Sequence, residues 1–246
     1  MNWSLFPTIS APMPIQMALD ELLFEFQKKK TQAPILRFYV SSAPWISVGC
    51  SFRDTAALSK SDLILKNPQV PVCGRVTGGG CVLHGQDLIF SLIARYDGGQ
   101  VSFSAERELV AGKSVRVFLS STCTSYAKIH ESVRIGLQTC GLDSKFYSLE
   151  DELPKGNDCF DFPVESDLSW NGKKIAGGAQ KRSEGVLLHH ESILIPSGVE
   201  VGDLMAGIKQ GLEAVFNSSI QKTNLDPEIY FQAERKAMSR EEVGHI

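Results

Sequence analysis

The sequence predicts an α+β fold, in which a mixed, largely antiparallel sheet is flanked by helices. Apolar residues make up 43% of the 246 residues and charged residues 22%, which is typical of a globular protein with a sizeable core. Segments with the two-residue period of strands and segments with the 3.6-residue period of helices both occur. Because the two kinds do not alternate strictly, an α+β fold is favoured over a doubly wound parallel sheet.

Three segments have the apolar spacing of amphipathic helices. They cover residues 15–26, 125–139 and 204–215. Gly141 is expected to stop the second helix, and Asp203 is expected to cap the N-terminus of the third.

Several short segments are rich in β-branched and aromatic residues, which is typical of strands. Residues 168–180 are predicted to form a hairpin that turns at Asn171-Gly172, a pair preferred in tight β-turns. The other predicted strands are residues 35–40, 45–48, 70–77, 82–94 and 186–195.

Composition and charge exclude several functional classes. The 25 basic and 28 acidic residues give a net charge of −3, which does not indicate a protein that binds nucleic acid by bulk charge. Asp20 and Glu21 in the first helix are interpreted as part of a solvated face.

No apolar run approaches the length of about 18 residues that a membrane span needs. The N-terminus is a poor signal peptide, and the six cysteines contain no C-x-x-C pair, so we expect a cytoplasmic protein with reduced thiols and no zinc site.

Three consecutive glycines, Gly78 to Gly80, lie between two predicted strands. Glycine lets the backbone approach a ligand closely, and successive N–H groups in such a loop cradle an anion or a carbonyl oxygen. Neither a Walker motif nor a dinucleotide fingerprint is present. A tight corner without a ligand is the alternative interpretation. In an extended segment after the loop, Val82 and His84 share one face of the strand.

A lysine in the predicted hairpin is a second candidate for chemistry. In a regular strand, Lys174 shares its face with the small residues Ala176 and Gly178 and with Gln180. Small residues beside a lysine leave room for a ligand to lie against the backbone. The alternative is that Lys174 and its neighbour Lys173 are solvated charges of the hairpin.

Cys159 is a candidate nucleophile, because it lies just upstream of the lysine hairpin. A reactive thiol needs a lowered pKa, and a nearby cation such as Lys174 supplies one. The competing nucleophile is Cys81, which follows the three glycines directly. Most free cysteines are small buried hydrophobic residues, and that interpretation stays open for both.

Four stretches of the chain carry a family resemblance, and they occur in the order Met17–Glu21, Leu36–Tyr39 with Ile46–Gly49, Arg75–His84, and Gly172–Arg182 with Leu188–Leu194. Together they resemble the biotin/lipoate ligase and octanoyltransferase superfamily, and specifically its lipoate-protein ligase and octanoyltransferase branch. The similarity covers about residues 15–215 of what we expect to be a single catalytic domain over 1–246, with a polar C-terminal tail at 239–246.

The resemblance implies attachment of an octanoyl or lipoyl group to a lysine of a lipoyl carrier domain, such as glycine cleavage H protein or a 2-oxoacid dehydrogenase E2. Two chemistries share the fold. Octanoyltransferases take the acyl group from acyl carrier protein through a cysteine thioester and need no cofactor. Ligases activate free lipoate with ATP and Mg²⁺ through an acyl-adenylate.

The resemblance also implies roles for particular residues. Cys159 and Lys174 correspond to the catalytic pair of the cysteine-dependent octanoyltransferases, and no metal ligand is implied. The substrate-binding positions that it implies are Arg75, Thr77, Gly78, Gly79, Gly80, His84, Ala176, Gly177, Gly178 and Ala179.

The chain departs from the family pattern at four positions. Gly74 stands where an arginine is common, Gly178 replaces a serine or threonine, and Glu191 replaces a glycine after His190. Gly80 stands where many octanoyltransferases have arginine, and a triple glycine is commoner in ligases. Three readings therefore stay open: a cysteine-dependent octanoyltransferase, an ATP-dependent lipoate ligase or its catalytic half, and a non-catalytic protein that binds lipoyl domains.

Overall fold

The computed structural model describes residues 2–29, 32–52, 61–96, 121–147, 160 and 164–242. Its helices are α1 (Met13–Lys29), α2 (Asp62–Lys66), α3 (Thr122–Thr139), α4 (Val201–Phe216) and α5 (Pro227–Glu242), with a short 3-10 helix over Cys50–Phe52. Its strands are β1 (Asn2–Ala11), β2 (Ile35–Ser41), β3 (Trp45–Val48), β4 (Val72–Gly74), β5 (Cys81–His84), β6 (Asp87–Arg95), β7 (Lys145–Phe146), β8 (Leu168–Trp170), β9 (Lys173–Ser183), β10 (Val186–Leu194) and β11 (Ser219–Lys222).

Eight of these strands form one large sheet in the order β11-β1-β2-β6-β10-β9-β8-β7. β1 is parallel to β2 and to β11, whereas the other neighbouring pairs are antiparallel. The predicted α+β fold with a mixed, largely antiparallel sheet is therefore confirmed. The predicted hairpin is also confirmed, because β8 and β9 are joined at Asn171 and Gly172, which have φ values of 51° and 73°.

A second sheet of three strands, in the order β4-β3-β5, carries the glycine loop between β4 and β5. The predicted strand over 70–77 is shorter than expected, because only Val72–Gly74 pair with β3. The predicted strand over 82–94 is two strands: β5 belongs to the small sheet and β6 to the large one. The chain thus changes sheets directly after His84 and enters β6, a central strand of the large sheet.

α1, α3 and α4 pack on the large sheet and bury its apolar side chains, whereas the short α2 contacts β5 of the small sheet. α3 and α4 contact each other and share a core with strand residues such as Leu36, Phe90 and Leu187. α3 ends as predicted, with Gly141 in a left-handed conformation at φ 77°. The predicted cap of α4 is wrong, because Glu200 occupies the N-cap position and Asp203 lies in the first turn.

The C-terminal helix α5 packs against α1 and was not predicted from the sequence. Its backbone is helical as far as Glu242, so the predicted polar tail at 239–246 begins inside a helix. Ala233 and Ala237 are its buried contacts with the cluster around Leu19 and Leu23 of α1.

Asp20 of α1 is completely buried, so its interpretation as part of a solvated face is wrong. Its carboxylate forms an ion pair with the buried Arg37 of β2 and accepts hydrogen bonds from Tyr39 Oη (2.8 Å) and Ser91 Oγ (2.6 Å). Burial alone would raise the pKa of Asp20, but Arg37 and the hydrogen bonds lower it to about 2. The buried guanidinium of Arg37 in β2 is therefore balanced by the buried carboxylate of Asp20 on the inner face of α1.

Candidate functional site

A narrow cavity of about 40 Å³ lies where α1, the small sheet and the β9–β10 pair meet. Part of its wall is apolar, because Met13, Met17, Tyr39 and Ile89 belong to one buried cluster and all line it. The remaining wall carries polar side chains from β3, β5, β9 and β10. Cavities with an apolar wall and a few convergent polar groups are typical of small-ligand sites.

The structure brings six of the twelve sequence-predicted site residues to the lining of this cavity. The predicted residues that line it are Arg75, His84, Lys174, Gly177, Gly178 and Ala179. Gly78 to Gly80 form the loop that Arg75 supports, while Ala176 is fully buried in the main core. Cys159 lies outside the described residues, but Phe160, which follows it in the sequence, lines the cavity. The competing cysteine, Cys81, is buried in an apolar cluster of the small sheet.

Arg75 holds the glycine loop in shape. Its Nη1 donates to the carbonyl oxygen and to Oγ of Ser47, both at 2.9 Å, and its Nη2 donates to the carbonyl oxygens of Gly78 (2.8 Å) and Gly80 (2.9 Å). The backbone of Gly49 lies so close that a Cβ there would overlap the Gly78 and Gly79 carbonyls. Arg75 therefore holds the loop by donating to the carbonyl oxygens of the loop. The planar guanidinium of Arg75 suits this arrangement of acceptors.

Thr77 connects the same loop to the large sheet. Its Oγ1 lies 3.1 Å from Nδ1 of His190, whose Nε2 lies 3.1 Å from Oδ2 of Asp20. The predicted loop residue Thr77 is therefore fixed through His190 to the buried ion pair of α1.

His84 lies between a serine and an aspartate. Its Nε2 is 2.7 Å from Ser47 Oγ, and its Nδ1 is 2.7 Å from Asp87 Oδ2. The backbone N–H of Gly85 and the hydroxyl of Ser192 also donate to Asp87, at 3.1 and 2.6 Å. Burial alone would raise the pKa of Asp87, but His84 and these hydrogen bonds hold it below its usual value, so the carboxylate is ionised.

The Lys174 side chain extends from β9, lines the cavity and is almost completely buried. Its Nζ forms an ion pair with Asp167 Oδ2 at 2.7 Å and lies 5.5 Å from the centre of the Phe160 ring. The lysine side chain lies across Gly177, where a Cβ would overlap it. The predicted common face of Lys174 and Ala176 is wrong, because a register shift between β8 and β9 breaks the alternation there.

Three fully buried residues behind Gly178 form a charged network that the sequence did not predict. Oε2 of Glu191 lies 2.9 Å from Nε2 of His130 and 2.8 Å from Nε2 of His189. His130 also hydrogen-bonds to the Ser166 carbonyl through Nδ1. A carbonyl and a carboxylate both accept, so His130 donates from both ring nitrogens and is positively charged.

The electrostatics of this network follow from burial and from the central carboxylate. Burial alone would raise the pKa of Glu191, but the two histidines lower it to about 2. Burial alone would lower the pKa of His130, but Glu191 raises it above its usual value. For His189, burial dominates and the pKa is lowered. The three ligand atoms lie within 4.8 Å of one another, a spacing that a cation could share, but the hydrogen bonds already join them.

The only sequence signal for this network was the pair of departures at Gly178 and Glu191. These two residues face each other across β9 and β10, and a Cβ at Gly178 would overlap the Glu191 carboxylate and the His189 ring. The glycine on one strand therefore makes room for the glutamate on the other. Nothing in the sequence placed His130 of α3 beside them.

Comparisons with known proteins agree on one family. Residues 12–223 match the family model described as the lipoyl protein ligase A/B catalytic domain. Octanoyltransferase LipM of an Exiguobacterium species is 33% identical over 207 residues, which are 81% of this chain and 68% of that protein. Octanoyltransferase LipM of Bacillus subtilis is 29% identical over 201 residues, which are 79% of this chain and 66% of that protein. This chain thus spans about two thirds of the length of these relatives.

Solved structures share the fold. A putative lipoate protein ligase from T. acidophilum has a TM-score of 0.70 and 19% identity, with 98% of this chain and 94% of that chain covered. A lipoate-protein ligase A bound with ATP has a TM-score of 0.69, with the same identity and coverage.

Proposed function

Because the chain belongs to the lipoyl protein ligase A/B catalytic-domain family, we propose that it moves an octanoyl (or lipoyl) group onto a lysine of a lipoyl carrier domain through a thioester on Cys159. The family match confirms the resemblance found in the four sequence motifs. The relatives named octanoyltransferase LipM support acyl transfer as the activity. In this proposal, residues 1–246 act as one catalytic domain.

The observation that carries the proposal is the position of Lys174 beside Phe160. The buried Lys174 ammonium, paired with Asp167, lies 5.5 Å from the ring of the residue that directly follows Cys159 in the sequence. A fixed cation close to a thiol favours the thiolate, which is the nucleophilic form. The same cation stabilises the negative charge that develops on a thioester oxygen during attack.

The reaction has two steps that balance. The Cys159 thiolate attacks the acyl carbon of the donor thioester, the C–S bond of the donor breaks, and the donor leaves as a thiolate. The neutral amine of the carrier lysine then attacks the same carbon, the bond to Cys159 breaks to give back the Cys159 thiolate, and the proton that the amine loses is taken up through water by the donor thiolate, which becomes a thiol. In both steps Lys174, paired with Asp167, acts on the oxygen of the reacting carbonyl.

The apolar part of the cavity provides the acyl site. Met13, Met17 and Ile89 are buried together and face the same cavity as Lys174. An alkyl chain among these side chains is removed from water, at about 0.8 kcal/mol for each CH₂ group. Gly177, Gly178 and Ala179 of β9 line the same cavity, next to Lys174.

The proposed reaction uses no ATP and no Mg²⁺. Its donor is octanoyl-acyl carrier protein, and its acceptors are lipoyl domains of the glycine cleavage H protein or 2-oxoacid dehydrogenase E2 type. A cytoplasmic location agrees with these partners. No helix in the described part of the chain is both long and apolar enough to cross a membrane.

The test is incubation of the full chain with octanoyl-acyl carrier protein and an apo lipoyl domain, without ATP. We expect an octanoyl mass on the acceptor, and an octanoyl mass on Cys159 when the acceptor is left out. If the thiolate is the nucleophile, Cys159→Ser should lower the rate of acceptor labelling by at least about 10²-fold. The proposal fails if the unmodified protein transfers no octanoyl group under these conditions.

An ATP-dependent lipoate ligase is the second candidate function. The fold of the ATP-bound lipoate-protein ligase A and the glycine at position 80 favour it. It predicts acceptor labelling from free lipoate only when ATP and Mg²⁺ are present, and no effect of Cys159→Ser. The assay without ATP and the assay with ATP and Mg²⁺ are both run on the unmodified protein and on Cys159→Ser. Their results separate the two functions.

A further inference from the structure

We propose that Ser47 is a second acyl-accepting nucleophile in this cavity, activated by His84 and Asp87, and that it gives the protein an acyl ester and thioester hydrolase activity independent of Cys159. Ser47 and His84 both line the cavity that contains Lys174. This activity goes beyond the proposed transfer reaction and does not require it.

The first support is the order of the hydrogen bonds. The ionised Asp87 carboxylate only accepts, so Nδ1 of His84 carries a proton and donates to it at 2.7 Å. In a neutral imidazole, Nε2 is then an acceptor, and Ser47 Oγ lies 2.7 Å from it. The serine hydroxyl therefore points at the nitrogen that can take its proton, which is the arrangement of a nucleophile, a base and an orienting carboxylate.

The second support is that Asp87 is itself held in place. Its Oδ1 accepts from the Gly85 N–H at 3.1 Å, and its Oδ2 accepts from the Ser192 hydroxyl at 2.6 Å. These bonds fix the carboxylate and keep it ionised, so it orients the imidazole and stabilises the positive charge that forms there.

The third support is the charge next to the serine. Arg75 Nη1 donates to Ser47 Oγ at 2.9 Å, and a guanidinium beside a hydroxyl favours the negative charge that develops on oxygen. A purely structural serine between two strands needs neither a buried arginine nor a histidine–aspartate pair. Here all three groups converge on a side chain that borders the ligand cavity.

The proposed reaction proceeds in two balanced steps. Ser47 Oγ attacks the acyl carbon and passes its proton to Nε2 of His84, and the bond to the leaving thiol or alcohol breaks as that group takes the proton back. Water then attacks the serine ester, His84 accepts the proton of water, and the acid is released as Ser47 regains its hydrogen. Water is the only co-reactant.

The experiment uses the full chain with Cys159→Ala, so that the cysteine cannot react. An octyl fluorophosphonate is the probe, because a serine oxygen displaces its fluoride and keeps the phosphonyl group. We expect the added mass on the peptide that contains Ser47, and hydrolysis of p-nitrophenyl octanoate above the buffer rate. His84→Gln should lower the rate of labelling and the rate of hydrolysis, each by about 10²-fold or more, which is the usual contribution of a general base.

Ser47→Ala should abolish the labelled peptide and the hydrolysis, and Ser47→Cys should restore part of the hydrolysis with a thiol in the same place. Ser144→Ala is the matched control, since Ser144 is a buried serine that does not line the cavity, and it should change neither readout. If Ser47→Ala fails to fold, the adduct on the protein with Ser47 intact still decides.

The inference is overturned if no phosphonyl mass appears on the Ser47 peptide, or if hydrolysis persists in a folded Ser47→Ala variant. Neither outcome affects octanoyl transfer by the unmodified protein. Likewise, failure of that transfer leaves the Ser47 adduct as an independent result.

Discussion

The residues that form and support the two polar walls of the cavity are stabilised in different ways. In the glycine-loop wall (Ser47, Arg75, Gly78–Gly80 and His84), the cation of Arg75 donates to four uncharged oxygen atoms. In the hairpin wall (Lys174, Asp167, Glu191, His130 and His189), the cations face carboxylates directly, at 2.7 and 2.9 Å. The first wall therefore depends mainly on backbone shape, and the second on the pairing of buried charges.

The largest effect is expected from Glu191→Gln, which removes the central charge of the hairpin wall. His130 then loses its buried partner, and removing one member of such a pair typically costs about 3–5 kcal/mol. The free energy of unfolding measured in urea at pH 7 should fall by that amount. Glu228→Gln is the control, because Glu228 and Arg235 form an exposed pair, and such surface pairs contribute little to stability. Equal losses in the two variants would contradict a special role for charge in this wall.

A smaller effect is expected from Gly49→Ala, which tests the glycine-loop wall. The new Cβ overlaps the backbone carbonyls of Gly78 and Gly79, so the loop has to move, and overpacking of this kind typically costs about 1–3 kcal/mol. The same urea measurement checks it. Gly202→Ala is the matched control, because that helical glycine has open space around its Cβ position and alanine favours helix by up to about 1 kcal/mol. The interpretation is wrong if Gly49→Ala is as stable as the unmodified protein.

The smallest effect is expected in the pH dependence of the hairpin wall, where two histidines act in opposite directions. His130 has a raised pKa, so its stabilising contribution is fully present below about pH 6.5 and is lost as the pH rises through that raised value. His189 has a lowered pKa, so it reduces stability as the pH falls below about 6.5. NMR titration of the ring protons should therefore give a midpoint above 6.5 for His130 and below 6.5 for His189. Midpoints in the reverse order would contradict the assigned charge states.

Local patterns were sufficient to predict much of the fold. The hairpin at Asn171-Gly172, the helix ending before Gly141 and the strand over 186–195 all depend on periodicity and turn chemistry within a few residues. Arg75, His84 and Lys174 were predicted as site residues through the resemblance of their motifs to the family. The structure puts all three at one cavity.

The missed features depend on contacts between distant segments. Asp20 looked like a surface residue because its partner Arg37 lies on another element, and α5 was missed because its polar sequence buries only a narrow strip. His130 and Glu191 are 61 residues apart, so their pairing is a property of the packed protein. The register shift beside Lys174 likewise depends on β8 and is invisible in β9 alone.

The hydrogen bonds that hold the glycine loop in one conformation have a consequence for ligand binding. Three adjacent glycines give an unfolded chain great freedom, yet here Arg75 holds Gly78 and Gly80, Cys50 N–H donates to Thr77 O at 2.9 Å, and Thr77 is linked to His190. The entropy of ordering the loop is therefore lost during folding and not when a ligand arrives. A loop whose composition suggests mobility can thus bind as a rigid, preformed surface, with little change in its own order.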